Sequence, residues 1–416
     1  MFNNSGLSLD QAPPIKVVLR FLLTGSLFGV VAGIVMTIFN KSLFDIHSLN
    51  ALIVVHLLMI GVMASFMLGA LFQMLPVLCG VHIKVAELFS MRVNYALIVG
   101  LIFLLFAFKG SFGATIFAII FLAYALIGAS VVMINKLKDA NGNATSRGML
   151  LSVISLFIVA SLGIIMLLIR TGFGIGLDYD LIKLSHIGFG LLGWIGLLVM
   201  SVSFQVIEMF FVTTAFDKRY TKIAPILIFA SLVFNLIFSI FKVDLDYILL
   251  PFAMAILAIH FMLIVDKLRK RKRKVKDATI WYWYLSSFSF VMFVLFSYTN
   301  QYLSAIFFTF FSTSVVMAMS YKIAPFLVWF HLTSKGYFEV PMMHEVIHPK
   351  VVRFNFYMHL TSLILFISSF ILSNIFIISS IFFTISFLIL FISIYTSIQK
   401  YNYAIEHSQK IDFNFK

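Results

Sequence analysis

Two of the ten histidines carry the chemistry with most reach. The full set is His47, His56, His82, His186, His260, His331, His344, His348, His359 and His407. Only His56 and His186 fall inside long apolar segments close to their outward ends. An imidazole in a bilayer is costly and usually functional, and it is the commonest ligand of haem iron and copper. Below His56, the residues Met59, Met63, Met67 and Met74 follow at spacings of 3, 4, 4 and 7, which an α-helix brings to one face. A thioether stripe of this kind suits a copper path or plain core packing. Around His186, the glycines Gly188, Gly190, Gly193 and Gly196 strip one face of side chains. That admits either a flat macrocycle or a neighbouring helix.

A second set is polar and lies toward the opposite end of the same segments: Gln73, Gln205, Glu208, Tyr321 and Lys322. It reads as an ion or proton path from the cytoplasm, or as a buried pair between Glu208 and Lys322 that locks two parts of the fold. His260 and His359 lie near this layer and are not expected to be metal ligands. A third set, His344, Glu345 and His348, matches H-E-x-x-H, where two histidines one helical turn apart bind zinc and the glutamate activates water. Pro349 follows at once and ends a helix there, and the motif lies in a connection between spans. No phosphate-binding glycine loop, C-x-x-C or haem-attachment motif is present, so any haem is held noncovalently. The single Cys79 allows no intrachain disulfide.

The elements that position these residues are membrane helices. Of 416 residues, 62% are hydrophobic and 11% charged, with 49 Phe and a mean hydropathy of +1.07. No soluble fold can cover that much apolar surface. The fold class is therefore an all-α polytopic membrane protein of about twelve spans, forming one integral domain over 1–416. Apolar stretches of span length fall near 16–39, 51–79, 93–109, 112–135, 149–171, 185–212, 222–241, 245–267, 279–298, 302–331, 354–374 and 376–398. The weakest division is at Ser373 and Asn374. The polar start and full-length first span give no expectation of a cleaved signal peptide.

Of the Lys and Arg residues in connections and tails, 24 lie on one side and 5 on the other. By the positive-inside rule both termini face the cytoplasm of a bacterial-type inner membrane. The net charge of +14 thus reports membrane orientation, with no support for nucleic-acid binding. The basic run at 267–276, which opens on Lys267 and closes on Lys276, anchors that orientation and could contact anionic lipid.

An internal repeat organises the whole. Phe72-Gln73-Met74-Leu75-Pro76-Val77, Phe204-Gln205-Val206-Ile207-Glu208-Met209 and Tyr321-Lys322-Ile323-Ala324-Pro325-Phe326 stand at one depth, 132 and then 117 residues apart. Each interval is four helices. The pattern implies three parallel four-helix units near 16–135, 149–267 and 279–398, each turning its second helix inward.

The segment His56-x4-Gly61-x7-Gly69-x6-Pro76 resembles the corresponding helix of the NnrS family, twelve-helix inner-membrane proteins associated with haem, copper and nitric oxide stress. The threefold plan resembles the catalytic subunit of haem-copper oxidases. This resemblance implies a haem-binding membrane protein, with copper as an optional second cofactor, in a redox or nitric-oxide-tolerance role. His56 and His186 would be cofactor ligands, with Met59 and Met63 beside the metal. An oxidase of that superfamily also needs histidines on the seventh and tenth helices. The seventh span here has none, and His331 lies at the wrong end of the tenth. A complete oxygen reductase is therefore not expected. Two other functions stand beside this one: an ion-coupled secondary transporter working through the polar layer, and a zinc protease working through His344, Glu345 and His348.

Overall fold

The computed structural model describes residues 12–140, 142–172, 178–243, 245–337 and 339–409. Among them the chain is helical and holds no strand. Inside a bilayer, backbone N–H and C=O groups have no water to bond, so each apolar stretch closes its hydrogen bonds within itself as a helix. Twelve spans result: α1 Ile15–Phe44, α2 Leu49–Cys79, α3 Ala86–Phe108, α4 Phe112–Lys138, α5 Ala144–Arg170, α6 Tyr179–Phe211, α7 Lys218–Ile240, α8 Asp246–Arg269, α9 Ala278–Phe296, α10 Gln301–Ser334, α11 Pro349–Ser369 and α12 Ser373–His407.

Several starts are fixed by a side chain that accepts an otherwise unpaired backbone N–H. Asn143 caps α5, Asp217 caps α7, Asp277 caps α9 and Asn300 caps α10. The division expected at Ser373 and Asn374 is real. Helix α11 ends at Ser369, and a short 3-10 turn, Ser373–Ile375, opens α12.

The chain forms two compact units. The terminal unit contains Pro14–Gly69 and everything from Val275 onward, and the central unit contains Ala70–Lys274. In the terminal unit α1 packs on α12 through notches. A Cβ on Gly29 would lie 2.0 Å from Phe387, and one on Gly33 would lie 2.2 Å from Thr384. In the central unit, α5, α7 and α8 pack on α6.

The three most enclosed spans are α2, α6 and α10, with 72%, 78% and 83% of their apolar windows buried, while no other span exceeds 56%. These are the three helices that carry the repeated hexapeptide motif.

Candidate functional site

Helices α2 and α6 share an internal architecture. Each opens on a side-chain cap: Ser48 accepts from Ala51 N, and Asp178 accepts from Asp180 N. In each, the histidine stands eight residues beyond its cap, His56 from Ser48 and His186 from Asp178. A π-helical segment follows, Leu57–Ala64 in α2 and Phe189–Gly196 in α6. An α-helical segment comes next, Ser65–Cys79 in one and Leu197–Phe211 in the other. Both segments correspond residue for residue at an offset of 132 (57 to 189, 64 to 196, 79 to 211).

The match extends one residue further, to left-handed terminators at Gly80 (φ 68°) and Val212 (φ 53°). Glycine adopts that conformation freely, whereas a β-branched residue there is strained. The Val212 carbonyl is held by the N–H of Lys272 at 3.1 Å. Helix α10 keeps the hexapeptide motif, yet it is α-helical throughout and has no histidine at the corresponding positions. π-Segments of this kind concentrate at functional sites.

Both histidines are half-buried, and each anchors Nδ1 on a backbone carbonyl. His56 Nδ1 donates to the Leu52 carbonyl at 2.9 Å, and His186 Nδ1 donates to the Val159 carbonyl of α5 at 2.9 Å. A neutral imidazole that donates from Nδ1 has its lone pair on Nε2. Ligating histidines show this tautomer and this backbone support. His186 reaches Val159 because Gly163 leaves a notch one turn further along α5. A Cβ there would lie 3.0 Å from His186 Cε1.

The two histidines do not share one register. His56 immediately precedes its π-segment, and His186 precedes its own by three residues. Two residues of helix correspond to a shift of about 3 Å and a rotation of about 200°, so the two histidines take different places relative to their π-segments. His56 belongs to the terminal unit and His186 to the central unit.

Two features that the sequence left open are resolved here. The open face of α6 is a helix-packing surface. The positions of Gly188, Gly193 and Gly196 are filled by Leu250 and Leu232, by Ser155 and Leu232, and by Leu257, while Gly190 faces Val159. A Cβ on Gly193 would lie 2.8 Å from Ser155, and one on Gly196 would lie 2.7 Å from Leu257. These glycines admit neighbouring helices. The methionine stripe is also bent. Met59 and Met63 lie within the π-segment, where i→i+5 hydrogen bonding breaks the fourfold stacking of an α-helix. Met63, Met67 and Met74 are buried, and Met59 is half-buried.

The polar layer is rearranged as well. Lys322 forms its ion pair with Asp277, the cap of α9, and both side chains are 24% exposed. Burial pushes the Asp277 carboxyl up, but the Lys322 charge, its hydrogen bond and those from Thr279 outweigh this and hold it below its ordinary value. Glu208, expected as the buried partner, is exposed and lies in the field of Lys267. Gln205 is half-buried, and Gln73 Oε1 is buried without a hydrogen-bond partner. Tyr321 is buried and accepts a hydrogen bond from Asn355 Nδ2 at 2.6 Å.

The H-E-x-x-H segment does not form a zinc-binding helix. Its helix, Met343–Val346, is four residues long, and Ile347 is extended. His344 and His348 therefore do not stand on successive turns of one helix. Glu345 accepts from the N–H of Met342 at 2.8 Å, and His348 Nδ1 accepts from the N–H of Lys350 at 3.1 Å, which caps α11. Among the described residues, no three His, Cys, Asp or Glu side chains cluster as a metal set. His56 and His186, each donating from Nδ1 to a backbone carbonyl, would have the donor chemistry to hold haem or copper. The π-segments leave no mark in the sequence, and Asp277 leaves only its place before an apolar run.

No family model matches the sequence, and no curated protein matches it.

Proposed function

We propose that this multi-pass membrane protein binds a redox cofactor, haem or copper, through His56 and His186, as two separate sites on corresponding helices. One observation carries the reading: each histidine stands eight residues beyond its cap, within one turn before a π-segment, and donates from Nδ1 to a backbone carbonyl. The helix-two spacing that resembles NnrS supports the same reading, with a redox or nitric-oxide-tolerance role. Bound haem or copper would supply electron-transfer or gas-binding chemistry. The protein's share is to present neutral imidazole from a rigid, backbone-anchored rotamer. His186 does so through the Gly163 notch, and His56 through its own preceding turn. The lysine and arginine bias supports cytoplasmic termini in a bacterial-type inner membrane, with the 267–276 run against anionic head groups.

The test is the absorption spectrum and copper content of protein purified from haem-replete and copper-replete cells. A Soret band or bound copper is expected. It should fall in His56→Ala and in His186→Ala, and persist in His331→Ala and His359→Ala. Protein that carries neither cofactor overturns the reading. An ion-coupled transporter is then the better account, favoured by the partly buried Asp277–Lys322 pair.

A further inference from the structure

We propose that each unit contains an internal, hydrated proton-exchange site centred on a fully buried histidine, His260 in the central unit and His359 in the terminal unit. Both imidazoles are 0% exposed. Each places Nε2 on a serine hydroxyl of the most enclosed helix of its unit: His260 on Ser203 of α6 at 2.7 Å, and His359 on Ser314 of α10 at 3.0 Å. In both, the second ring nitrogen, Nδ1, is buried and has no hydrogen-bond partner.

A tyrosine ring lies beside each imidazole. Tyr220 stacks on His260 at 6.0 Å and 12°, and Tyr282 lies 5.8 Å from His359. Both phenol oxygens are also buried without a partner. In the terminal unit a third such atom is present, Asn355 Oδ1, one turn before His359 on α11.

Orphaned polar atoms are rare in folded proteins, and ordered water normally satisfies them. Here they occur in matched sets, a phenol O–H donor beside an imidazole nitrogen, with Asn355 Oδ1 as a further acceptor in one set. A water between phenol and imidazole accepts from the tyrosine and donates to Nδ1. In the central unit the direction is fixed. Ser203 Oγ donates to the Met200 carbonyl at 2.7 Å, so it accepts from His260 Nε2–H, and Nδ1 holds the lone pair.

A proton arriving on the water is taken up at Nδ1, which gives the imidazolium and leaves the water neutral. It departs from Nδ1 to the same water by the reverse transfer, or from Nε2 to the serine oxygen, whose own proton then passes to water. Only N–H and O–H bonds are made or broken, and charge is conserved. The groups facing His260 are Ser203 and Phe204 of α6, Phe216, and Tyr220 of α7. Those facing His359 are Tyr282 of α9, with Phe310 and Ser314 of α10. The phenols are the only ionisable groups in either set. This inference is independent of any cofactor at His56 and His186.

The experiment is deuterium exchange of the histidine ring N–H groups in the full-length protein, labelled with 15N-histidine and followed by NMR after transfer to D2O. Ser203→Ala and Ser314→Ala assign the two buried signals by their shifts. Exchange of both ring protons within minutes is expected. Tyr220→Phe should slow exchange at His260, and Tyr282→Phe at His359, each by tenfold or more and each without effect on the other site. Ring protons protected for hours in the unaltered protein overturn the proposal, as does exchange that the tyrosine changes leave unaltered. Should a variant fail to fold, the rate in the unaltered protein alone decides whether water reaches the sites.

Discussion

The Asp277–Lys322 pair gives a quantitative test of how the end of α9 is held. Lys322→Met keeps the apolar stem and removes the ammonium, and Asp277→Asn keeps a good helix cap and removes the charge. Both side chains are 24% exposed, so the pair lies between two limits. Breaking a fully buried pair costs about 3–5 kcal/mol, and an exposed pair contributes about 0–1 kcal/mol. The structure thus implies about 2 kcal/mol for either single change, with a coupling of about 1–2 kcal/mol in the double mutant. Asp277 retains its bonds from Thr279 N and Oγ1, at 2.9 and 2.7 Å, which keeps the single costs from rising further.

Acid should act in the same direction. The folded carboxyl titrates below its ordinary value of 3.8. The stabilisation is therefore complete above that value and is lost as pH falls through the lower, folded one. Reversible unfolding in mixed micelles at neutral pH, and again at acid pH, measures both effects. Additivity of the two substitutions within about 0.3 kcal/mol would refute the pairing. As a reference, Glu208→Gln alone should change stability by no more than about 0.5 kcal/mol, because Glu208 is exposed.

Gly193→Ala places a methyl 2.8 Å from Ser155 and 3.1 Å from Leu232. It should cost about 1–3 kcal/mol by overpacking, and unchanged stability with loss of a bound cofactor would restore the macrocycle seat. His344→Ala and Glu345→Gln should leave zinc content unaltered on metal analysis, whereas His348→Ala should lower stability by about 1 kcal/mol through loss of the α11 cap. In a Cys79-free background, a cysteine at the exposed position of Lys274 should resist an impermeant reagent in intact cells, and rapid labelling would invert the orientation.

The sequence by itself determined the number, order and approximate limits of the spans. A bilayer leaves the backbone no alternative to long apolar helices, so hydropathy alone suffices. It also marked α2, α6 and α10 as special, since Phe72, Phe204 and Tyr321 head one repeated motif, and these helices are the most enclosed. The equal spacing of His56 and His186 from the caps at Ser48 and Asp178 became legible only once the helix starts were placed.

Only the tertiary structure decided the rest. Whether Gly188, Gly190, Gly193 and Gly196 admit a ligand or a helix depends on what stands opposite, and that is Val159, Ser155, Leu232, Leu250 and Leu257, distant in sequence. The partner of Lys322 is 45 residues away at a helix cap, where equal depth in a repeat carries no information. The π-segments turn on whether an N–H bonds four or five residues back, a choice that neighbouring helices settle and composition does not record. Likewise, His344 and His348 have the spacing of a zinc motif, but Pro349 and the extended Ile347 unmake the helix on which that spacing depends.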